Sequence, residues 1–80
     1  MKEARFRWEN AEFEVSPMAT PEGRWKSAIR QQATFGPHIE YTTEVSPTEY
    51  ETAREAFQAG IARMNQLFPE ATRVDVEAPD

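Results

Sequence analysis

The chain contains no cysteine, and this absence excludes disulfide bonds, thiolate metal sites and thiol catalysis. It also lacks an apolar run of 18 residues and a basic segment leading into an apolar one. We therefore expect neither a membrane span nor a secretion signal, and a cytoplasmic location. The three glycines are isolated, so the sequence offers no glycine-rich loop that would cradle a phosphate group.

Large aliphatic residues are also scarce, because Phe, Val, Ile and Leu together make up only 13 of the 80 residues. Nine aromatic residues and a modest net charge of -5 still favour a folded protein, since aromatic rings bury large areas. We expect one small domain with a thin core. Self-association would supplement such a core, and a homodimer at micromolar concentration is the prediction.

The first half of the chain has the alternation that is typical of strands. In residues 4–17 the apolar positions change parity after Trp8, which a single strand of period two does not allow. A bulge or bend near Glu9 and Asn10 is the preferred explanation, and a tight hairpin is the alternative. The proline- and glycine-containing segment 17–23 is predicted to be a loop.

Two further strands are predicted at residues 24–35 and 38–45, joined by a turn at Gly36 and Pro37. The alternation indicates two sets of residues that face the core. In the second strand they are Trp25, Ile29, Ala33 and Phe35, and in the third they are Ile39, Tyr41, Thr43 and Val45. The remaining third-strand residues, His38, Glu40, Thr42 and Glu44, are expected to face solvent.

A helix is predicted from Pro47 to about Phe68. Ser46 and Glu49 have the spacing of a capping box, proline suits the first helical position, and Pro69 ends the pattern. The apolar stripe of this helix is Tyr50, Ala53, Phe57, Gly60, Ile61, Met64 and Leu67 or Phe68. Gly60 lies on the stripe, where it would let the helix backbone approach the sheet closely.

The predicted fold class is α+β, with a mostly antiparallel sheet of three to four strands and one helix packed on one face. The predicted element order is β-β-β-α-β. Residues 1–80 form one domain in this interpretation, with a strand-rich part over 1–45 and the helix over 46–68. A short strand over 71–77 and a tail over 78–80 complete it.

Catalytic and metal-binding patterns are weak. Serine–histidine–aspartate chemistry would depend on His38, the only histidine, which we expect on an exposed strand face. Glu12 with Glu14 and Glu40 with Glu44 have the spacing of strand neighbours on one face, so each pair offers oxygen ligands. A charged, solvated face explains both pairs more simply. The sequence predicts no enzyme, no metal site and no cofactor.

The basic residues of the first half are the candidates for an anion-binding face. They are Arg5, Arg7, Lys26, Arg30 and His38. The nearby aromatic rings have the opposite parity, whereas a stacking platform needs rings and cations on one face. If the second strand lies between the first and third, glutamates on both sides neutralise Lys26 and Arg30. A salt-bridged face is therefore preferred over a nucleic-acid site.

The back of the predicted helix is the other candidate surface, and its acidic first turns suit a basic protein partner. Its candidate partner-binding residues are Glu49, Glu51, Arg54, Glu55 and Gln58. The leading functional hypothesis is a non-catalytic protein-binding module, such as a small acidic accessory or inhibitor protein that occludes its partner. The alternative is a single-stranded nucleic-acid-binding protein that uses the basic sheet face. Membrane binding is not expected.

Overall fold

A computed structural model describes residues 3–74 of the chain. Within them, a single helix accompanies one antiparallel sheet of five strands, which confirms the α+β class. The sheet order is β4-β3-β2-β1-β5. The elements are β1 (Ala4–Trp8), β2 (Ala11–Ala19), β3 (Trp25–Phe35), β4 (His38–Val45), α1 (Ala53–Leu67) and β5 (Thr72–Arg73). The sheet therefore has more strands than the three to four predicted.

The additional strand arises because residues 4–19 form a hairpin. Trp8 pairs with Ala11, so the loop is only Glu9 and Asn10, and the preferred bulge was wrong. Glu9 has a φ of 52°, a left-handed conformation that is uncommon for a residue other than glycine. Asn10 holds the turn in place, because its side-chain amide donates to the carbonyl of Thr34 at 2.6 Å. The parity change at Trp8 thus marks a reversal of the chain.

The predicted loop over 17–23 is shorter in the structure, because β2 continues through Pro17 to Ala19. Pro17 pairs with Ser27 of β3. It lies beyond the β1–β2 pairing, because β1 begins at Ala4, which pairs with Val15. Successive residues of a strand direct their backbone groups to alternate sides, and the register turns Pro17 toward the β1 side. The missing N–H of this proline therefore costs the β2–β3 ladder no hydrogen bond.

Helix α1 begins at Ala53 rather than at Pro47, and its N-cap is Thr52 instead of Ser46. The Thr52 hydroxyl oxygen accepts from the backbone N–H of Glu55 at 3.1 Å, and the hydroxyl donates to the Glu55 carboxylate at 3.0 Å. The N-cap predicted at Ser46 thus lies six residues later, and the Glu55 carboxylate accepts from the Thr52 hydroxyl rather than from the backbone N–H that a capping box uses. At its other end the helix stops at Leu67, as the following Pro69 predicted.

Residues 46–51 are irregular, with bends at Pro47, Thr48 and Glu51, and they are held against β3. The Ser46 hydroxyl oxygen accepts from the backbone N–H of Ser27 at 3.0 Å, and the hydroxyl donates to the Thr48 carbonyl at 2.9 Å. The backbones of Trp25 and Tyr50 exchange two hydrogen bonds, of 2.9 and 2.6 Å. Ser46 therefore organises the connection between sheet and helix, and does not cap the helix.

The helix packs on β2 and β3, and Ala56, Gly60 and Met64 are its buried residues. A Cβ built on Gly60 would lie 2.6 Å from the Cγ1 methyl of Val15, so the close approach predicted for this glycine is confirmed. Ala56, which the predicted stripe omitted, is fully buried. Phe68 covers the open end of the core and contacts Phe13 and Trp8 at ring-centroid distances of 4.6 and 5.5 Å.

The last described strand, β5, comprises Thr72 and Arg73 and pairs with β1. It is shorter than the predicted strand over 71–77, of which residues 75–77 lie outside the described residues. The predicted tail over 78–80 lies outside them as well. Within the described part, the two edges of the sheet differ in length, because β5 has two residues and β4 has eight.

Candidate binding surfaces

Strand β4 is the longest element of the fold in which every residue is exposed. It lies at the edge of the sheet, with β3 on one side and no strand of residues 3–74 on the other. All of its eight residues are exposed. Helix α1 covers β2 and β3 but stops short of β4 and reaches it through one ion pair, between Arg63 and Glu44 at 3.0 Å. An edge strand of this length presents a row of free backbone groups.

The apolar residues of β4 lie on the sheet face opposite the helix. Glu44 pairs with Ile29, whose side chain is buried under the helix, and directly opposed residues share a face. The odd-numbered residues of β4 therefore face away from the helix, and the predicted inward orientation of Ile39, Tyr41, Thr43 and Val45 was wrong. Tyr41 is 71% exposed, Ile39 45% and Val45 39%.

This orientation follows from the turn at Gly36 and Pro37. Phe35 pairs with His38, so the loop has two residues and both flanking side chains lie on the same face. The parity that puts Ile29 in the core thus places His38 and Glu40 on the helix side. The sequence contained this signal, since two residues of turn type between two strands specify such a register.

The free backbone groups of β4 belong to its odd-numbered residues. The backbone N–H of Ser46 donates to the Ser27 carbonyl at 2.9 Å, which places even-numbered residues of this segment in hydrogen-bonded pairs with β3. Successive residues of an antiparallel strand point to opposite sides. The N–H and C=O groups of Ile39, Tyr41, Thr43 and Val45 are consequently directed away from β3, at the open edge.

The candidate anion-binding residues are largely brought together, on the sheet face opposite the helix. Arg5, Arg7, Lys26 and Arg30 lie there, whereas His38 lies on the helix side, where it contacts Glu40 at 3.3 Å. The outer face also contains a shallow concavity of about 210 Å³. Its lining residues are Arg5, Phe6, Glu12, Phe13, Glu14, Arg30, Gln31, Gln32 and Tyr41.

Glutamates of β2 pair with three of these cations. Glu14 lies between Arg5 and Arg30, at 3.6 and 3.5 Å, and Glu12 contacts Arg7 at 3.2 Å. The expected neutralisation by β4 was wrong, because Glu40 and Glu44 lie on the helix side of the sheet. Thr43 is the residue of β4 that pairs with Arg30.

Lys26 lies apart from this network. It pairs with Met18 of β2 rather than with a glutamate. Among residues 3–74, no acidic side chain forms an ion pair with it. Glu3 also contacts Arg5, at 3.8 Å, so four cations and three glutamates, Glu3, Glu12 and Glu14, leave the outer face with a net charge of +1.

The predicted partner-binding residues do not form one acidic helix face. Glu49 and Glu51 precede the helix, and Glu49 is held by Arg24 through an ion pair of 3.3 Å. Glu55 takes part in the N-terminal cap. Arg54 and Gln58 are exposed on the helix. The residues thus lie near one end of α1, but two of the three carboxylates already have intramolecular contacts.

Within residues 3–74, no group of three or more histidine, cysteine, aspartate or glutamate side chains is arranged to hold a metal ion. The described helix is too short and too polar to cross a membrane. Comparisons of this chain with protein-family models, with curated proteins and with solved structures found no match. The edge strand β4 and the outer face of the sheet are therefore the basis for a proposed function.

Proposed function

We propose that this chain is a non-catalytic protein-binding module that docks an extended segment of its partner along β4. The observation that carries the proposal is the fully exposed edge strand, with free backbone groups at Ile39, Tyr41 and Thr43. Addition of a strand to such an edge is a recurrent mode of peptide recognition, in which backbone hydrogen bonds supply affinity and alternate side chains supply specificity.

The two faces of β4 define the chemistry of the partner strand. On the outer face, Ile39, Tyr41 and Val45 favour apolar or aromatic side chains at alternate positions. On the helix side, Glu40 and Glu44 favour basic or hydroxyl side chains at the positions between them. A small acidic accessory or inhibitor protein that covers its partner's strand is the form of activity that fits this edge.

A selection of extended peptides tests this proposal. Peptides from a random displayed library are selected on the protein, and their affinities are measured by fluorescence anisotropy. Thr43→Pro removes an outward N–H without removing a bond to β3, so it should weaken the selected peptides at least tenfold. Asn65→Ala, on the exposed helix surface, is the control and should leave affinity unchanged. Failure to enrich any peptide, or equal binding to Thr43→Pro in a folded protein, contradicts the proposal.

The second candidate function is single-stranded nucleic-acid binding on the outer face. The observation that favours it is Tyr41, an exposed ring that lines the same concavity as Arg5 and Arg30. Stacking on such a ring combines with phosphate contacts in this class of site. Glu12 and Glu14 argue against nucleic-acid binding, because they form ion pairs with three of the four cations.

Salt-dependent binding separates the two functions. The protein-docking proposal predicts no measurable binding to a random labelled oligonucleotide at about 150 mM salt, where non-specific binders have dissociation constants of roughly 10⁻⁴ to 10⁻⁶ M. A tight, salt-sensitive complex that Arg30→Glu abolishes in a folded protein would establish the second candidate instead. Arg54→Glu, an equal charge change on the helix, is the matched control.

A further inference from the structure

We infer that the partner strand at this edge is β4 of a second copy of the chain, paired antiparallel about a two-fold axis at Tyr41. The inference rests on the proposed function, since it names the occupant of the same edge. A two-fold interface requires a surface that is complementary to itself. The backbone pattern, the charges and the apolar residues of β4 meet this requirement together.

The backbone pattern allows the pairing because the outward groups of the two copies coincide. In a pair centred on Tyr41, each Tyr41 opposes the other, and Ile39 opposes Thr43 of the second copy. All three residues have N–H and C=O groups that point away from β3. The centred arrangement therefore extends the antiparallel ladder without a bulge, and six outward residues, three from each copy, exchange hydrogen bonds.

Charge distinguishes this register from its neighbour. The register centred between Tyr41 and Thr42 would pair all eight residues of each strand, but it opposes outward with inward backbone groups and forms no ladder. Of the registers that oppose outward with outward groups, those centred on Tyr41 and on Thr42 are the longest, with seven residues paired in each strand. Centring on Thr42 places Glu40 opposite Glu44 twice, and directly opposed like charges are destabilising. Centring on Tyr41 instead places His38 opposite Glu44 and Glu40 opposite Thr42, so no like charges are opposed. The Tyr41-centred register is thus the longest ladder in which no like charges lie opposite each other.

The apolar residues also favour a second copy. A two-fold axis normal to the sheet keeps the two helices on one face and the two outer faces on the other. The exposed Ile39 and Tyr41 of both copies then form one cluster around the axis, which decreases the exposure of large apolar side chains. The opposite edge has no comparable surface, because β5 has two residues in the described part of the chain.

Single cysteines test the register, because the natural chain has none. Opposed residues in a hydrogen-bonded antiparallel pair have Cα atoms about 5.5 Å apart, a distance that a disulfide spans. Tyr41→Cys should therefore form a covalent dimer in a glutathione redox buffer. Thr43→Cys should stay monomeric on a non-reducing gel, since a four-residue offset separates its two copies by about 14 Å. Asn65→Cys, at an exposed helix position outside the predicted partner-binding residues, measures disulfide formation by random collision.

Sedimentation equilibrium tests the dimer without any cross-link. The protein should change from 9.2 kDa to twice that mass over the micromolar range. Tyr41→Lys, which opposes two lysines at the axis, should raise the dissociation constant at least tenfold, whereas Asn65→Lys, on the exposed helix surface, should leave it unchanged. A mass of 9.2 kDa at all concentrations, or cross-linking of Thr43→Cys in preference to Tyr41→Cys, overturns the inference. Peptide binding that Thr43→Pro removes would still support the docking edge, so the two failures are distinguishable.

Discussion

Gly60 marks the closest approach of helix and sheet, and Gly60→Ala tests that contact. The added methyl group would lie 2.6 Å from the Cγ1 methyl of Val15 and 3.1 Å from the Cβ of Ser27. Val15 is fully buried and β-branched, so its side chain has little freedom to move aside. The contact is therefore expected to be repulsive in the folded state.

Two opposing contributions determine the sign of the effect. Replacement of glycine by alanine inside a helix favours folding by about 1 kcal/mol. Overpacking of a filled core costs about 1–3 kcal/mol. Because Val15 and Ser27 are both buried, we expect the overpacking cost to dominate and Gly60→Ala to destabilise the protein by about 1 kcal/mol. For a domain of this size, that corresponds to a decrease in Tm of roughly 4–8 °C.

Urea denaturation of four variants provides the assay: Gly60→Ala, Ala62→Gly, Val15→Ala and the double variant of Val15→Ala with Gly60→Ala. Ala62→Gly, at an exposed position of the same helix, measures the intrinsic glycine effect and should cost about 1 kcal/mol. In a Val15→Ala background the obstructing methyl is gone, so Gly60→Ala should become stabilising. If Gly60→Ala stabilises the otherwise natural protein by as much as it does beside Val15→Ala, the close helix–sheet contact is refuted.

Three further substitutions test the local structure. Thr52→Ala should cost about 1 kcal/mol and speed amide exchange at Glu55, because it removes the helix cap; unchanged exchange there would place the cap elsewhere. Ser46→Ala should cost about 1–3 kcal/mol and speed exchange of the buried Ser27 amide while leaving Glu55 protected, and the reverse pattern would restore Ser46 as the cap. Glu9→Gly should raise stability by up to about 1 kcal/mol in thermal denaturation, since it relieves a left-handed conformation; a loss of stability would argue against the hairpin turn.

The sequence was most informative where a local signal had one interpretation. The Gly36–Pro37 turn, the two strands beside it and the end of the helix before Pro69 are all present where they were predicted. Gly60 was correctly identified as a point of close approach because it interrupts an apolar stripe. In each case, the deciding feature lies within a few residues of the element concerned.

The errors arose where tertiary contacts chose between local alternatives. Ser46 and Thr52 each begin a capping-box sequence, and the backbone bridge between Trp25 and Tyr50 selects the second by holding residues 46–51 against β3 in a non-helical conformation. The hairpin at Glu9 and Asn10 lacks the usual glycine. Hydrogen bonds between Asn10 and the distant Thr34 hold it instead. Such long-range pairs are not visible in the local pattern.

The orientation of β4 was the error with the largest consequence for function. Its alternation was recognised, but its apolar set was assigned to the core rather than to the outer face. Alternation defines two faces without showing which is buried, and the helix leaves β4 uncovered. The candidate site consequently differs from the predicted one. Ile39 and Tyr41 were predicted to lie in the core, but they are exposed at the candidate binding edge.

Amide hydrogen exchange along β4 tests the docking edge most directly. In dilute protein, the amides of Ile39, Tyr41 and Thr43 should exchange rapidly, and those of Glu40 and Thr42 should be protected by β3. Raising the protein concentration, or adding a selected peptide, should protect the three odd-numbered amides and change the even-numbered ones little. Equally fast exchange of Ile39, Tyr41 and Thr43 under all of these conditions would contradict the proposal that β4 binds a strand.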